Sequence, residues 1–414
     1  MQRGEREKLP SLRFIFFRRK YDNMKFLIYL FPALINFVTS GVFFYVTQRF
    51  VDAHASKLLT SLVVPMWALT YCVMNVIIGK VVNNKNAAGL IISGGGFIAL
   101  SSLGFIFLGT KLYLLLAWTG LLGVGFGFYC SPFQVLCKEM EKGSSSGVAM
   151  ATGKYTAAWS FGFAAGAVVF GMLSDVIAFG LCFAVGVFVA AGVAIITRKL
   201  KQNTPAENAE IRELPQENME KFPDYAWVGW AVGGVVTFSV CQLRSMLQPH
   251  AAAIGLNNAK TNIALALTMV SFMQGLTALL LVKSRVWMYK ILPTTLFGIS
   301  GIIAMLLFCR VHGLAGFLLA AAIYGIYSGC GYFIFVFYSL AHPVKAGRNA
   351  AVNEILVSIA SISGPMLGGV LVQKSGISWT PFAMAAACTL LATMFHMTAF
   401  AASKRRKEAL QENR

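Results

Sequence analysis

The chain has 414 residues, 57% hydrophobic and only 12% charged, with a mean hydropathy of +0.68. A soluble domain carries about 25% charged residues, so the composition excludes a water-soluble enzyme and implies a helical protein embedded in a lipid bilayer. The formal charge of +19 would suggest nucleic acid in a soluble chain. Here the bases gather in short loops between apolar runs, so no nucleic-acid partner is expected.

Apolar runs of about 20 residues match the hydrocarbon thickness of a membrane. Twelve can be read, at 26–48, 58–79, 88–109, 112–134, 147–173 and 176–197, then 225–248, 261–282, 291–309, 313–337, 349–373 and 378–402. The first begins only near Phe26, and no cleaved leader is expected. Between the sixth and seventh lies 198–224, rich in Glu, Gln and Asn with Pro205, Pro215 and Pro223, which reads as a linker. The expected organisation is therefore a tail over 1–23, a six-helix bundle over 24–197, the linker over 198–224, a second six-helix bundle over 225–402 and a tail over 403–414. With the N-terminus in the cytoplasm, the inner loops and tails hold 27 Lys and Arg and the outer loops 6. That split places both termini and the linker on the cytoplasmic side of the plasma (inner) membrane.

The two halves repeat. Gly162-Phe-Ala-Ala-Gly166 overlays Gly364-Pro365-Met-Leu-Gly368 at a shift of 202, Gly125-Phe-Gly127 overlays Gly329-Cys-Gly331 at 204, and Lys80 overlays Lys283 at 203. Six helices per half keep the halves in the same membrane orientation, which makes them parallel repeats about an axis along the membrane normal. Glycines four apart on a membrane helix let a neighbouring backbone approach.

On these features the chain resembles the major facilitator superfamily over residues 24–402. The 6+6 plan and basic inner loops agree, as does Gly364-Pro365-Met-Leu-Gly368-Gly369, similar to that family's glycine-proline packing signature. The resemblance implies an all-α fold of two six-helix bundles, a small-molecule solute, a proton or other coupling ion, no cofactor and a monomer. It also implies a gating role for the loop after the second segment, where Gly79-Lys-Val-Val-Asn83-Asn84-Lys85 carries Asn83 in place of the family's acid. Thr119 stands where the fourth helix often carries an arginine.

An ionisable side chain in hydrocarbon costs roughly 2.5–3.5 kcal/mol on insertion scales, so it marks a functional candidate. Arg244 follows 19 uncharged residues and precedes 15, Lys154 lies between stretches of 11 and 20, and Glu354 between 5 and 19. Snorkelling to the headgroups is the bland alternative, most of all for Glu354 near the start of its segment. Arg244 is expected in a central cavity, where a guanidinium suits a carboxylate, sulfate or phosphate. Lys154 would be a second cation there or the partner of Glu354 in a gating or proton-coupled ion pair. Asn36, Tyr45, Gln48, Gln242, Gln274, Tyr324 and Tyr327 are polar residues that could line the same cavity, although amides and tyrosines are also inter-helix glue. The cysteines and histidines show no metal spacing, and no nucleotide-binding or hydrolase motif is present. The expected function is a secondary transporter of an anionic or polyhydroxylated solute. Efflux of hydrophobic compounds, or a transporter-shaped sensor, are the alternatives.

Overall fold

A computed structural model describes residues 12–83, 85–108, 111–141, 148–202, 225–284, 287, 290–340 and 346–412. The expected linker, apart from its first residues, and both extreme termini lie outside the described residues. The described residues form thirteen helices and no strand: α1 (Leu12–Asp52), α2 (Lys57–Ser61), α3 (Val63–Val81), α4 (Ala87–Leu108), α5 (Leu112–Glu141), α6 (Val148–Met172) and α7 (Asp175–Gln202), then α8 (Ala226–Ala253), α9 (Ala259–Val282), α10 (Ile291–Phe308), α11 (Leu314–Leu340), α12 (Ala346–Ser375) and α13 (Thr380–Glu412). Among the described residues twelve spans are long and apolar enough to cross a bilayer. The second is split into α2 and α3 at Leu62, three residues before Pro65. Proline has no backbone N–H to give Ser61, and it is tolerated in the first turn of α3, where that donor would be unused. Ser56 caps α2 by accepting the Leu59 N–H at 3.2 Å.

The repeat is written into the packing. In the first half α1 packs on α6, α3 and α4 on α5, and α4 on α7; in the second α8 packs on α12, α9 and α10 on α11, and α10 on α13. Glycines make the closest approaches. A methyl group on Gly162 would run into the Ala33 carbonyl of α1, and one on Gly364 into the Phe238 carbonyl of α8. Gly166 and Gly368 repeat this one turn on, against Phe37 and Gln242. In α5 and α11 the structural equivalence is a shift of 202, not 204: Gly123 and Gly127 face α3 as Gly325 and Gly329 face α9. The face toward the partner helix decides the register, and Gly125 and Gly331 lie on other faces, against α4 and α8.

Even the turns repeat. After α1 the Ala55 N–H reaches the Phe50 carbonyl at 3.0 Å, and after α8 the Leu256 N–H reaches Ala251 at 3.0 Å. Such a cap needs a residue with positive φ, supplied by Gly255 at 66° and by His54 at 51°.

Candidate functional site

The halves meet along seams of α1 with α8, α3 and α2 with α12, and α6 with α9 and α11. An even number of spans puts the two ends of the chain on one face, called here the termini face. Toward the opposite face, Gln248 of α8 donates to the Phe44 carbonyl of α1 at 3.1 Å. In the α6–α9 seam Gln274 donates to Ser160 at 2.8 Å and Thr268 to the Ala164 carbonyl at 2.9 Å. Among the described residues α5 makes no comparable packing with α11 or α12. The halves are thus closed over the face opposite the termini.

Beneath that closure lies a narrow cleft lined by Ser40, Phe43 and Phe44 of α1, Arg244 of α8, and Leu267 and Ser271 of α9. Both bundles contribute. The Arg244 guanidinium carbon sits 3.8 Å from the ring centroid of Phe163 on α6, a cation–π contact. Its Nη2 is buried and has no hydrogen-bond partner. The Phe163 backbone is held by Ser40, whose hydroxyl donates to its carbonyl at 2.7 Å. Trp159 stands edge-on to Phe163, with centroids 6.0 Å apart, and to Tyr332 of α11 at 5.0 Å. Trp67 of α3 stands edge-on to Phe43 at 5.4 Å.

Among the described residues Arg244 has no counter-charge. Asp52, Asp175 and Glu354 are the acids within the twelve spans. Asp175 pairs with Arg49 and accepts from Tyr45 at 2.8 Å, and Asp52 accepts from Gln48 at 2.7 Å. Glu354 accepts from Tyr71 of α3, across the α3–α12 seam. The register of α8 and α12 is pinned by the Trp230–Asn353 hydrogen bond of 2.9 Å and by Gly364 on Phe238. Glu354 therefore lies level with Trp230, about 20 Å along the axis from Arg244 at 1.5 Å per residue.

The remaining candidates are dispersed. Lys154 is exposed on α6 and forms no ion pair with Glu354. Tyr45 and Gln48 belong to the clamp around Arg49, Asp175 and Asp52. Asn36 donates to the Pro32 carbonyl of its own helix at 2.8 Å. Gln242 is fully buried against Gly368, with neither amide atom partnered, and Gln274 keeps an unpartnered Oε1. Tyr324 bonds Ser239 at 2.6 Å, and Tyr327 packs on Gly301 inside the second bundle. Asn83 shapes the turn before α4, its Oδ1 accepting the N–H of exposed Lys85 at 2.9 Å and that of Asn86 at 3.2 Å. Thr119 is buried and bonds the Leu115 carbonyl at 2.7 Å. The charge scan missed Phe163, the cleft's phenylalanines and serines, and Tyr71, because a neutral residue in an apolar run leaves no mark until its neighbours are known.

No family model and no curated protein matches the sequence. Among solved structures, a point mutant of the nucleoside transporter NupG matches with a TM-score of 0.63 at 11% identity, covering 90% of this chain and 99% of that one. NupG without that mutation matches with a TM-score of 0.62 at 12% identity, covering 91% and 99%. With its twelve spans in two repeated six-helix bundles, the chain has the major facilitator fold.

Proposed function

We propose that the protein is a secondary transporter of a small anionic solute, bound between the two bundles by Arg244 and moved as the bundles rock. The observation that carries this reading is the uncompensated guanidinium with an open N–H in a cleft walled by both halves. A half-buried charge without a partner is unfavourable, and an entering anion supplies the missing charge and acceptor together. Because α1 and α6 contribute walls on one side and α8 and α9 on the other, a solute there is held differently once the bundles separate. That difference is what lets a ligand bias two states.

Glu354 takes the gating role in this reading, through Tyr71 rather than Lys154, since that bond ties the bundles together and must break if the α3–α12 seam opens. It is also the group placed to carry a coupling proton. The 27 to 6 charge split orients the termini face toward the cytoplasm, in a plasma or inner membrane. A fixed cation in the cleft disfavours export of lipophilic cations.

A second reading takes the solute from the name of the structural neighbours, a neutral nucleoside, with Arg244 donating to a base carbonyl. The aromatic walls and Ser40 and Ser271 favour it. Thermal unfolding of purified protein separates the two. Acetate, benzoate or phosphate should stabilise the wild type and leave Arg244→Gln unmoved. Stabilisation by uridine alone would favour the second reading, and equal stabilisation of both proteins by anions would contradict the first.

A further inference from the structure

The polar groups facing the cleft are few, and that scarcity constrains the solute. Beside Arg244 the lining offers two hydroxyls, Ser40 and Ser271, and the Ser40 hydroxyl already donates to the Phe163 carbonyl. All other lining is apolar: Phe43, Phe44 and Leu267, with Phe163 under the guanidinium. A sugar or ribose carries several hydroxyls, each needing a partner once water is stripped away. A phosphate dianion needs two positive charges and several donors to leave water. The cleft supplies one positive charge and, at Nη2 of Arg244, one buried donor nitrogen without a partner. A cation is repelled outright.

What remains is a molecule with one negative charge at one end and an apolar body. The rings define that body further. Phe43 is backed edge-on by Trp67 at an interplanar angle of 81°, and Phe163 by Trp159 at 82°. Such edge-to-face networks hold ring faces in fixed orientations, and a planar ring gains more from a fixed flat wall than a puckered one does. The guanidinium already lies over Phe163, so its planar fork can meet a carboxylate while the attached ring continues among Phe43 and Phe44.

Resting on the anion reading above, we propose that the solute is an aromatic monoanion, an aryl or heteroaryl carboxylate or sulfonate. Arg244, seated over Phe163, binds the charged end, and Phe43 and Phe44 bind the ring.

The test is equilibrium binding to the purified full-length protein by calorimetry, with benzoate, cyclohexanecarboxylate, benzamide, inorganic phosphate and uridine as separate probes, in wild type, Arg244→Gln and Phe43→Leu. Benzoate should bind at least tenfold tighter than benzamide, phosphate or uridine, and at least threefold tighter than cyclohexanecarboxylate. Arg244→Gln should weaken benzoate at least tenfold. Phe43→Leu should erase the preference for benzoate over cyclohexanecarboxylate while leaving thermal unfolding within a few degrees of wild type. Phosphate or uridine bound more tightly than benzoate, and weakened by Arg244→Gln, would overturn the aromatic assignment and leave the Arg244 site standing. Benzoate bound equally by wild type and Arg244→Gln would overturn the site itself. Absence of binding by every probe would overturn the aromatic assignment, with the thermal-unfolding panel still deciding the anion reading.

Discussion

Replacing Arg244 with methionine should stabilise the solute-free protein while abolishing anion binding. Methionine keeps the length and apolar body of the side chain and removes the charge. The loss is the contact over Phe163, 3.8 Å from the ring centroid, and such contacts are worth about 0.5–2 kcal/mol depending on desolvation. The gain is relief of one unpartnered donor, Nη2, worth about 1–3 kcal/mol, together with removal of a charge that has no counter-charge among the described residues. The arginine is half-buried, so water screens part of both terms. The net is a gain of about 1 kcal/mol, on the order of one or two degrees in a chain of this size. Intrinsic tryptophan fluorescence during heating, with and without benzoate, reads both effects. Wild type should gain stability on adding benzoate, and Arg244→Met should start higher and gain nothing. A large drop in the solute-free unfolding temperature of Arg244→Met would show that the arginine is a structural strut and refute the reasoning.

Four further outcomes follow from the packing and the charges. Gly162→Leu and Gly364→Leu occupy equivalent places against Ala33 and Phe238 and should destabilise by similar amounts, roughly 1–3 kcal/mol or more from forced overpacking, read as lost unfolding temperature; one tolerated and the other ruinous would contradict the repeat. His54→Gly should raise stability by up to about 1 kcal/mol, because a non-glycine residue is held at positive φ there; a loss would show that the histidine side chain is needed. In a double-mutant cycle of transport, Tyr71→Phe and Glu354→Gln should be strongly non-additive, as for one charge-assisted bond, whereas additive effects would dissolve the proposed gate. In a cysteine-free background on whole cells, an impermeant thiol reagent should label Lys374→Cys and spare Lys283→Cys, both exposed and on opposite faces; the reverse pattern would invert the orientation.

The spans were legible because hydrocarbon thickness imposes a run length that no other requirement mimics. The break at Leu62 was not, since the run from 58 to 79 is apolar throughout and Pro65 acts only on the local hydrogen-bond ladder. The glycine pairs at Gly162 and Gly364 were readable as a repeat, but the offset in α5 and α11 needed helix faces, which composition does not carry. Arg244 could be found by its distance from other charges along the chain. Lys154 shows the limit of that signal, for it is nearly as isolated in sequence yet sits on an exposed face of α6. Tyr45 and Gln48 were rightly seen as polar groups on α1, but Asp175 and Asp52 engage them. The cleft's recognition surface rests on Phe43, Phe44 and Phe163, three of 33 phenylalanines, and only the meeting of α1, α6, α8 and α9 separates them from the rest.

Tracer counterflow in proteoliposomes tests the central claim most directly, with wild type and Arg244→Gln side by side. Benzenesulfonate suits the assay, being an aromatic anion that stays ionised and crosses lipid poorly unaided. Vesicles preloaded with unlabelled benzenesulfonate and diluted into labelled probe should accumulate label transiently with wild type and stay at the empty-vesicle level with Arg244→Gln. Equal accumulation by both proteins, or none by either while labelled uridine accumulates regardless of Arg244, would contradict an anion carried between the bundles by that arginine.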